Sequence, residues 1–126
     1  MKLLLDESFP QHTIALSRGE VEIRRADTST LADEELIQSA AEQGCHGVVF
    51  LGEEFASREE LLRVAEDSRV TLIAVAHEDP ESGNEYLRRN LAALVKTIGT
   101  SSAVIIWSNR VESELTQEPS RPPENG

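Results

Sequence analysis

Three carboxylates in the sequence stand where a metal site could form. Asp6 follows the apolar stretch MKLLL, Asp33 opens the segment DEELIQSAAEQG, and Glu54 comes just after the stretch GVVFL. Magnesium and manganese prefer hard oxygen ligands and need only a few carboxylates, completed by water molecules. These residues therefore predict a site for Mg²⁺ or Mn²⁺ that is weakly held because its ligands are few. The competing interpretation is that Asp33 only caps a helix and Glu54 only makes a loop soluble.

The sequence lacks the residues and spacings of several other kinds of catalytic site. Cys45 is the only cysteine, which excludes an internal disulfide and a zinc site built from thiolates. The three histidines, His12, His46 and His77, show none of the spacings of zinc-binding motifs and are interpreted as surface residues. The chain also has no GxSxG elbow, no P-loop and no GxGxxG turn.

The elements that must position the carboxylates are predicted from the hydrophobic pattern. Short, mostly continuous apolar runs are typical of strands covered on both faces, and the segments between them place apolar residues on one helical face. The predicted strands are 2–5, 21–23, 47–51, 70–76 and 103–107, and the predicted helices lie within 10–17, 32–44, 57–68 and 84–98. Asp33 is the predicted N-cap of the second helix, and Ser57 with Glu60 forms a predicted capping box for the third.

Strands that alternate with helices indicate an α/β fold with a mostly parallel sheet of about five strands. In such sheets, sites form outside the carboxyl ends of the strands. Asp6 follows the first strand and Glu54 the third, so both lie at the edge where a site is expected. We predict one domain over residues 1–111 and a disordered polar tail over residues 112–126, which are polar and rich in proline.

Composition limits the classes of function. The net charge of −11 disfavours broad electrostatic binding of nucleic acid, although a metal held by carboxylates can carry a phosphate contact. The single cysteine favours a reducing, cytoplasmic location. The apolar run Leu3 to Leu5 is too short for a signal peptide or a membrane span, so no membrane association is expected.

The order of these motifs resembles the small bacterial PIN-like proteins. MKLLLDESFP is similar to their opening strand followed by Asp-Glu and proline, and LADEELIQSAAEQG is similar to their helix that begins with an acidic trio. GVVFLGEEF is placed like their strand that ends in Thr-x-Asp-x-Asp-Phe. The strand AVIIW, followed by Arg110, completes the order, and the resemblance covers roughly residues 1–111.

The resemblance implies a three-layer α/β/α fold with acidic residues at the carboxyl edge of its sheet. Active PIN domains are Mg²⁺- or Mn²⁺-dependent ribonucleases, and many are toxins of toxin–antitoxin pairs. Carried over position by position, Asp6 matches the first acidic residue, Asp33 the acid at the helix start, and Glu54 the last acid before the phenylalanine. The resemblance implies that these three residues are the catalytic and metal-binding residues of an RNA-cleaving site.

The sequence departs from the family's pattern in its third motif. Phe50 stands in place of threonine, Gly52 in place of the first aspartate, and Glu54 in place of the second. The leading hypothesis is a toxin–antitoxin ribonuclease with weakened or lost activity, which Gly52→Asp together with Phe50→Thr would raise. The alternative is a non-catalytic PIN-like module that binds an antitoxin or a second copy of itself. A receiver-like signalling domain is disfavoured because the third strand lacks a phosphate-accepting aspartate.

Overall fold

The structure is a computed structural model that describes residues 1–26 and 31–113. Its strands are β1 (Lys2–Leu5), β2 (Glu22–Arg25), β3 (Gly47–Leu51), β4 (Thr71–Val75), β5 (Ala103–Ile106) and β6 (Val111–Ser113). Its α-helices are α1 (Asp33–Glu42), α2 (Glu59–Ser68) and α3 (Pro80–Thr97), and two 3₁₀ helices span Gln11–Leu16 and Glu53–Ser57.

The six strands form one sheet in the order β2-β1-β3-β4-β5-β6. The first five strands are parallel, and β6 pairs antiparallel with β5 at one edge. The prediction of an α/β fold with a mostly parallel sheet is confirmed, with six strands instead of about five. β6 continues the sheet to Ser113, past the predicted domain boundary at residue 111, and the rest of the predicted tail lies outside the described residues.

Alternate residues of the strands face opposite layers, as the pleat of a β-strand requires. One core packs α1 and α2 against the sheet and contains Leu4, Val48, Phe50, Leu72 and Ile105. The other core packs α3 and the first 3₁₀ helix against it and contains Leu3, Phe9, Val49, Ile73, Leu87 and Leu94. The protein therefore has three layers, with two α-helices on one face and one α-helix on the other.

The helix starts differ from those predicted. Asp33 is the first residue of α1 and not its cap, which is Ala32; the Glu35 carboxylate accepts a hydrogen bond from the Ala32 backbone N–H at 2.9 Å. Ser57 belongs to the second 3₁₀ helix, and its hydroxyl donates to the carbonyl of Glu54 instead of capping α2. The segment 10–17 forms a 3₁₀ helix, which is shorter than the α-helix expected there.

α3 begins four residues before its predicted start, at Pro80. Asp79 caps it, because its carboxylate accepts a hydrogen bond from the Ser82 backbone N–H at 2.9 Å. Within residues 1–26 and 31–113, the structure contains no helix whose length and apolar character would allow it to cross a lipid bilayer.

Candidate functional site at the carboxyl edge of the sheet

The strand order reverses direction between β1 and β3, which makes their carboxyl ends the expected location of a site. The chain runs from β1 to β2 on one side and then returns to place β3 on the other side of β1. In doubly wound sheets a crevice opens where the order reverses, and the 2-1-3-4-5 order seen here is that of flavodoxin-like folds. Asp6 follows β1 and Gly52 follows β3, so both residues flank this point.

Asp33 and Glu54 lie at the same edge as Asp6. α1 follows β2 and therefore begins at the carboxyl edge, and the 3₁₀ helix that contains Glu54 follows β3. The topology thus brings the three predicted site residues to one edge of the sheet. Each of the three carboxylates, however, has a different neighbour at that edge.

The Asp6 side chain turns back on its own loop. Its carboxylate accepts hydrogen bonds from the backbone N–H of Ser8 at 3.3 Å and from the Ser8 hydroxyl. The Asp6 backbone N–H still donates to the Val49 carbonyl at 2.9 Å, so the residue is fixed where the chain leaves the sheet. Asp6 is half-buried, and its carboxylate stabilises the turn after β1 as a local Asx-type acceptor.

Gly52 has a backbone conformation that favours glycine. Its φ is 119° and its ψ is 123°, a combination that residues with a Cβ rarely adopt. A Cβ added at Gly52 would lie 2.7 Å from Glu54 Oε2 and 2.8 Å from Oε1. The Glu54 carboxylate therefore lies beside the space that a side chain at position 52 would enter.

Asp33 forms an ion pair with Arg58, a partner that no sequence motif indicates. Arg58 Nη1 donates to Asp33 Oδ2 at 2.9 Å, and the same guanidinium donates to Glu60 Oε2 at 2.8 and 2.9 Å. The hydrogen bonds that Arg58 donates, first to Glu60 and then to Asp33, raise its pKa. Arg58 also lies over the Phe55 ring, with its Cζ 5.5 Å from the ring centroid.

Two aromatic rings connect this ion pair to the core. The Phe50 and Phe55 rings stack with centroids 4.6 Å apart and planes 8° apart. Phe50 is completely buried in the core beneath α1 and α2. Phe50 therefore contributes packing in place of the hydroxyl that a threonine would bring to the site.

A depression of about 440 Å³ opens beside Glu53 and Glu54. Trp107 and Glu112 form its other side, and Trp107 Nε1 donates to Glu112 Oε1 at 2.7 Å. Arg110 lies over the Trp107 ring, with its Cζ 5.0 Å from the ring centroid and its Nη2 3.6 Å from Glu112 Oε1. The hydrogen bond and the cation–π contact both stabilise the β5–β6 turn.

The described residues do not fit a Mg²⁺ or Mn²⁺ site as they stand. Within residues 1–26 and 31–113, no group of three or more Asp, Glu, His or Cys side chains is placed to hold a metal ion. Asp33 is paired with Arg58, and Asp6 accepts from Ser8. Because a divalent cation needs several oxygens converging on it, this edge would need rearrangement before binding one. The metal-binding role of Asp6, Asp33 and Glu54 stays a prediction.

Comparison with known proteins identifies no relative. No protein-family model matches the chain, and neither a curated protein nor a solved structure matches it significantly. The PIN-like resemblance therefore rests on the motifs quoted above. The strand order agrees with the receiver-like alternative. The residue that follows β3 is Gly52, however, where that alternative needs a phosphate-accepting aspartate.

Proposed function

We propose that this chain is a non-catalytic PIN-like module of the toxin–antitoxin type that acts in the cytoplasm by binding a partner protein and has lost ribonuclease activity. The observation that carries the proposal is the ion pair between Asp33 and Arg58. It places an internal cation on one of the three carboxylates that the resemblance assigns to metal.

Two effects of this ion pair act against metal binding. Asp33 Oδ2 already has a charge-assisted hydrogen bond, which a metal would have to break. The guanidinium beside it also repels a divalent cation, and both side chains are only partly exposed, at 35% for Asp33 and 40% for Arg58. Arg58 therefore reduces the negative charge of this edge without a metal. An edge with reduced negative charge suits a protein-binding surface better than a hydrolytic site.

RNA cleavage tests the loss of activity. Wild type and Asp6→Asn would be incubated with a mixed RNA pool and Mn²⁺, with folding of both checked by circular dichroism. We expect any residual cleavage to be equal in the two proteins, because a contaminating nuclease does not depend on Asp6. Cleavage by wild type that Asp6→Asn abolishes would show that the protein is an ordinary nuclease.

The partner-binding half of the proposal has its own test. We expect the purified chain to sediment as a monomer and to form a complex with the product of the adjacent reading frame when the two are co-expressed. A homodimer in sedimentation would instead identify a second copy of the chain as the partner. A monomer that leaves the co-expressed product unbound would contradict the toxin–antitoxin assignment.

A metal-dependent ribonuclease of low activity is the second candidate. The observation that favours it is the position of Asp6, Asp33 and Glu54 at one edge, beside the reversal in strand order. Calorimetric titration of Mn²⁺ into wild type and Asp6→Asn tests it. Binding by wild type that is weakened in Asp6→Asn supports this candidate, and equal or absent binding in both proteins contradicts it.

A further inference from the structure

A groove of about 470 Å³ lies on the α3 face of the molecule, away from the carboxyl-edge site. Its floor is apolar and consists of Leu16 and Val21 on one side and Leu91, Ala92 and Val95 of α3 on the other. Leu16, Val21 and Leu91 are half-buried against the core on this face. The groove therefore continues the apolar core to the surface, and no described side chain covers it.

Basic side chains surround this apolar floor. Arg18, Arg88, Arg89 and Lys96 line the groove and are all exposed, in a chain with only 12 basic residues and a net charge of −11. Glu85 forms ion pairs with both Arg88 and Arg89, and it is the one carboxylate bonded to these four cations among the described residues. The rim is therefore net positive on a molecule that is elsewhere acidic.

The layer that contains the groove is less complete than the opposite one. Among residues 1–26 and 31–113, two α-helices cover one face of the sheet, whereas α3 and a 3₁₀ helix of six residues cover the other. The side chains of α3 that line the groove lie between positions 88 and 96, about two helical turns or roughly 12 Å. That length suits a short amphipathic helix laid beside α3.

A second copy of this chain does not suit the groove. Two such grooves facing each other would bring like charges together. The described helices also have their apolar faces in the core, and the only exposed large apolar side chains in residues 1–26 and 31–113 are Ile14 and Leu31. The segment 114–126 has Leu115 as its single large apolar residue, which is too few to fill the floor.

We propose that this groove binds an acidic amphipathic helix of a partner protein, with leucine-like side chains on the apolar floor and carboxylates against the basic rim. The inference rests on the proposed partner-binding function and names the surface and the chemistry of the partner. Charge complementarity supplies specificity, because the rest of this acidic molecule repels such a helix.

A binding assay with a defined probe tests the groove. The probe is a fluorescein-labelled peptide of leucine and glutamate in helical spacing, about 14 residues or roughly four turns long. Fluorescence anisotropy would compare wild type with Lys96→Glu, with Arg18→Glu/Lys96→Glu, and with Arg63→Glu as the matched control. Arg63 is an exposed arginine on α2, on the opposite face, and its replacement by glutamate makes the same change in charge as Lys96→Glu.

We expect wild type to bind the peptide, and the double variant to bind about tenfold or more weakly, because reversing rim charges turns attraction into repulsion. Arg63→Glu should bind within about twofold of wild type, since it lies away from the groove and salt screens distant charges. A control peptide with serine in place of leucine should not bind. No binding of the leucine peptide at up to about 1 mM, or equal losses in Arg63→Glu, would overturn the proposal.

Three further outcomes would assign the groove to another ligand and so also overturn the proposal. These are equal binding of the serine peptide, binding of a single-stranded RNA oligomer that Arg18→Glu/Lys96→Glu abolishes, and binding of phosphatidylglycerol vesicles with the same dependence. The Asp6-dependent cleavage assay, run on the same preparations, separates the two proposals. Asp6-dependent cleavage contradicts the proposed function, whereas a wild type that does not bind the peptide contradicts only the assignment of the groove.

Discussion

Replacing Gly52 tests whether the backbone at the end of β3 excludes the acid expected there. The PIN-like pattern that the sequence resembles has an aspartate at this position, and the sequence analysis predicts that adding it together with Phe50→Thr raises ribonuclease activity. The structure opposes that change because Gly52 has a φ of 119°, and because the Glu54 carboxylate, 2.7 Å from the added Cβ, would have to move aside. We expect Gly52→Ala and Gly52→Asp both to be destabilised.

The magnitude follows from opposing contributions. A side chain forced into a sparsely populated backbone region costs about 1–3 kcal/mol. Replacing glycine also reduces the conformational entropy of the unfolded chain, which offsets roughly 0.4–1 kcal/mol of that cost. The net loss for Gly52→Ala is therefore about 1–2 kcal/mol. Gly52→Asp adds repulsion from the exposed Glu54 carboxylate, about 1 kcal/mol for two charges 4 Å apart in water.

Urea unfolding at neutral pH measures these free energies. Gly99→Ala is the matched control for backbone strain, since its φ is 94° and its added Cβ would meet no atom within 4 Å. Adding Glu54→Gln to Gly52→Asp should recover the roughly 1 kcal/mol assigned to repulsion. The reasoning is refuted if Gly52→Ala is as stable as wild type, or if Gly52→Asp is more stable than Gly52→Ala.

Three further predictions concern residues around the site and α3. Phe50→Thr should lower the free energy of unfolding by about 3–5 kcal/mol, because it removes a fully buried ring that stacks on Phe55. A decrease of less than about 1 kcal/mol in urea unfolding would contradict this packing role. Arg58→Met should lower the free energy of unfolding by about 1 kcal/mol or less, as expected for a partly exposed ion pair. Because it releases Asp33, the variant should bind Mn²⁺ more tightly in calorimetry. Unchanged or weaker Mn²⁺ binding would contradict the blocking role of Arg58. Hydrogen bonds from the Ser82 backbone and hydroxyl lower the pKa of Asp79, so its stabilising contribution is present above the ordinary aspartate pKa of about 4 and is lost as the pH falls through the lowered folded-state pKa. The stability difference between wild type and Asp79→Asn should therefore shrink on acidification, and a constant difference would contradict this.

The fold could be predicted from the sequence where the pattern was local and continuous. The strands β1, β3, β4 and β5 match apolar runs, because a strand covered on both faces needs apolar residues throughout. β6 was missed because three half-buried residues, VES, have no such pattern. The start of α3 was also not predicted, although Asp79 followed by Pro80 has the composition typical of a helix N-terminus.

The candidate site could be predicted only in its location. Strand ends and helix starts placed Asp6, Asp33 and Glu54 at one edge, because parallel strands share an edge by topology. The partners of these carboxylates depend on contacts that no local pattern encodes. Arg58 is 25 residues from Asp33 in sequence, and the position of the Glu54 side chain over Gly52 follows from a backbone conformation that is visible only in three dimensions.

The outer strand β2 affects how the molecule behaves when it is concentrated. Exposed Glu22 and Arg24 on this edge strand form an ion pair at 2.6 Å. Charged side chains on an edge strand oppose the strand-to-strand addition that leads to aggregation. The β2 edge is therefore expected to resist growth into fibres, and self-association on that side is expected through helices or loops.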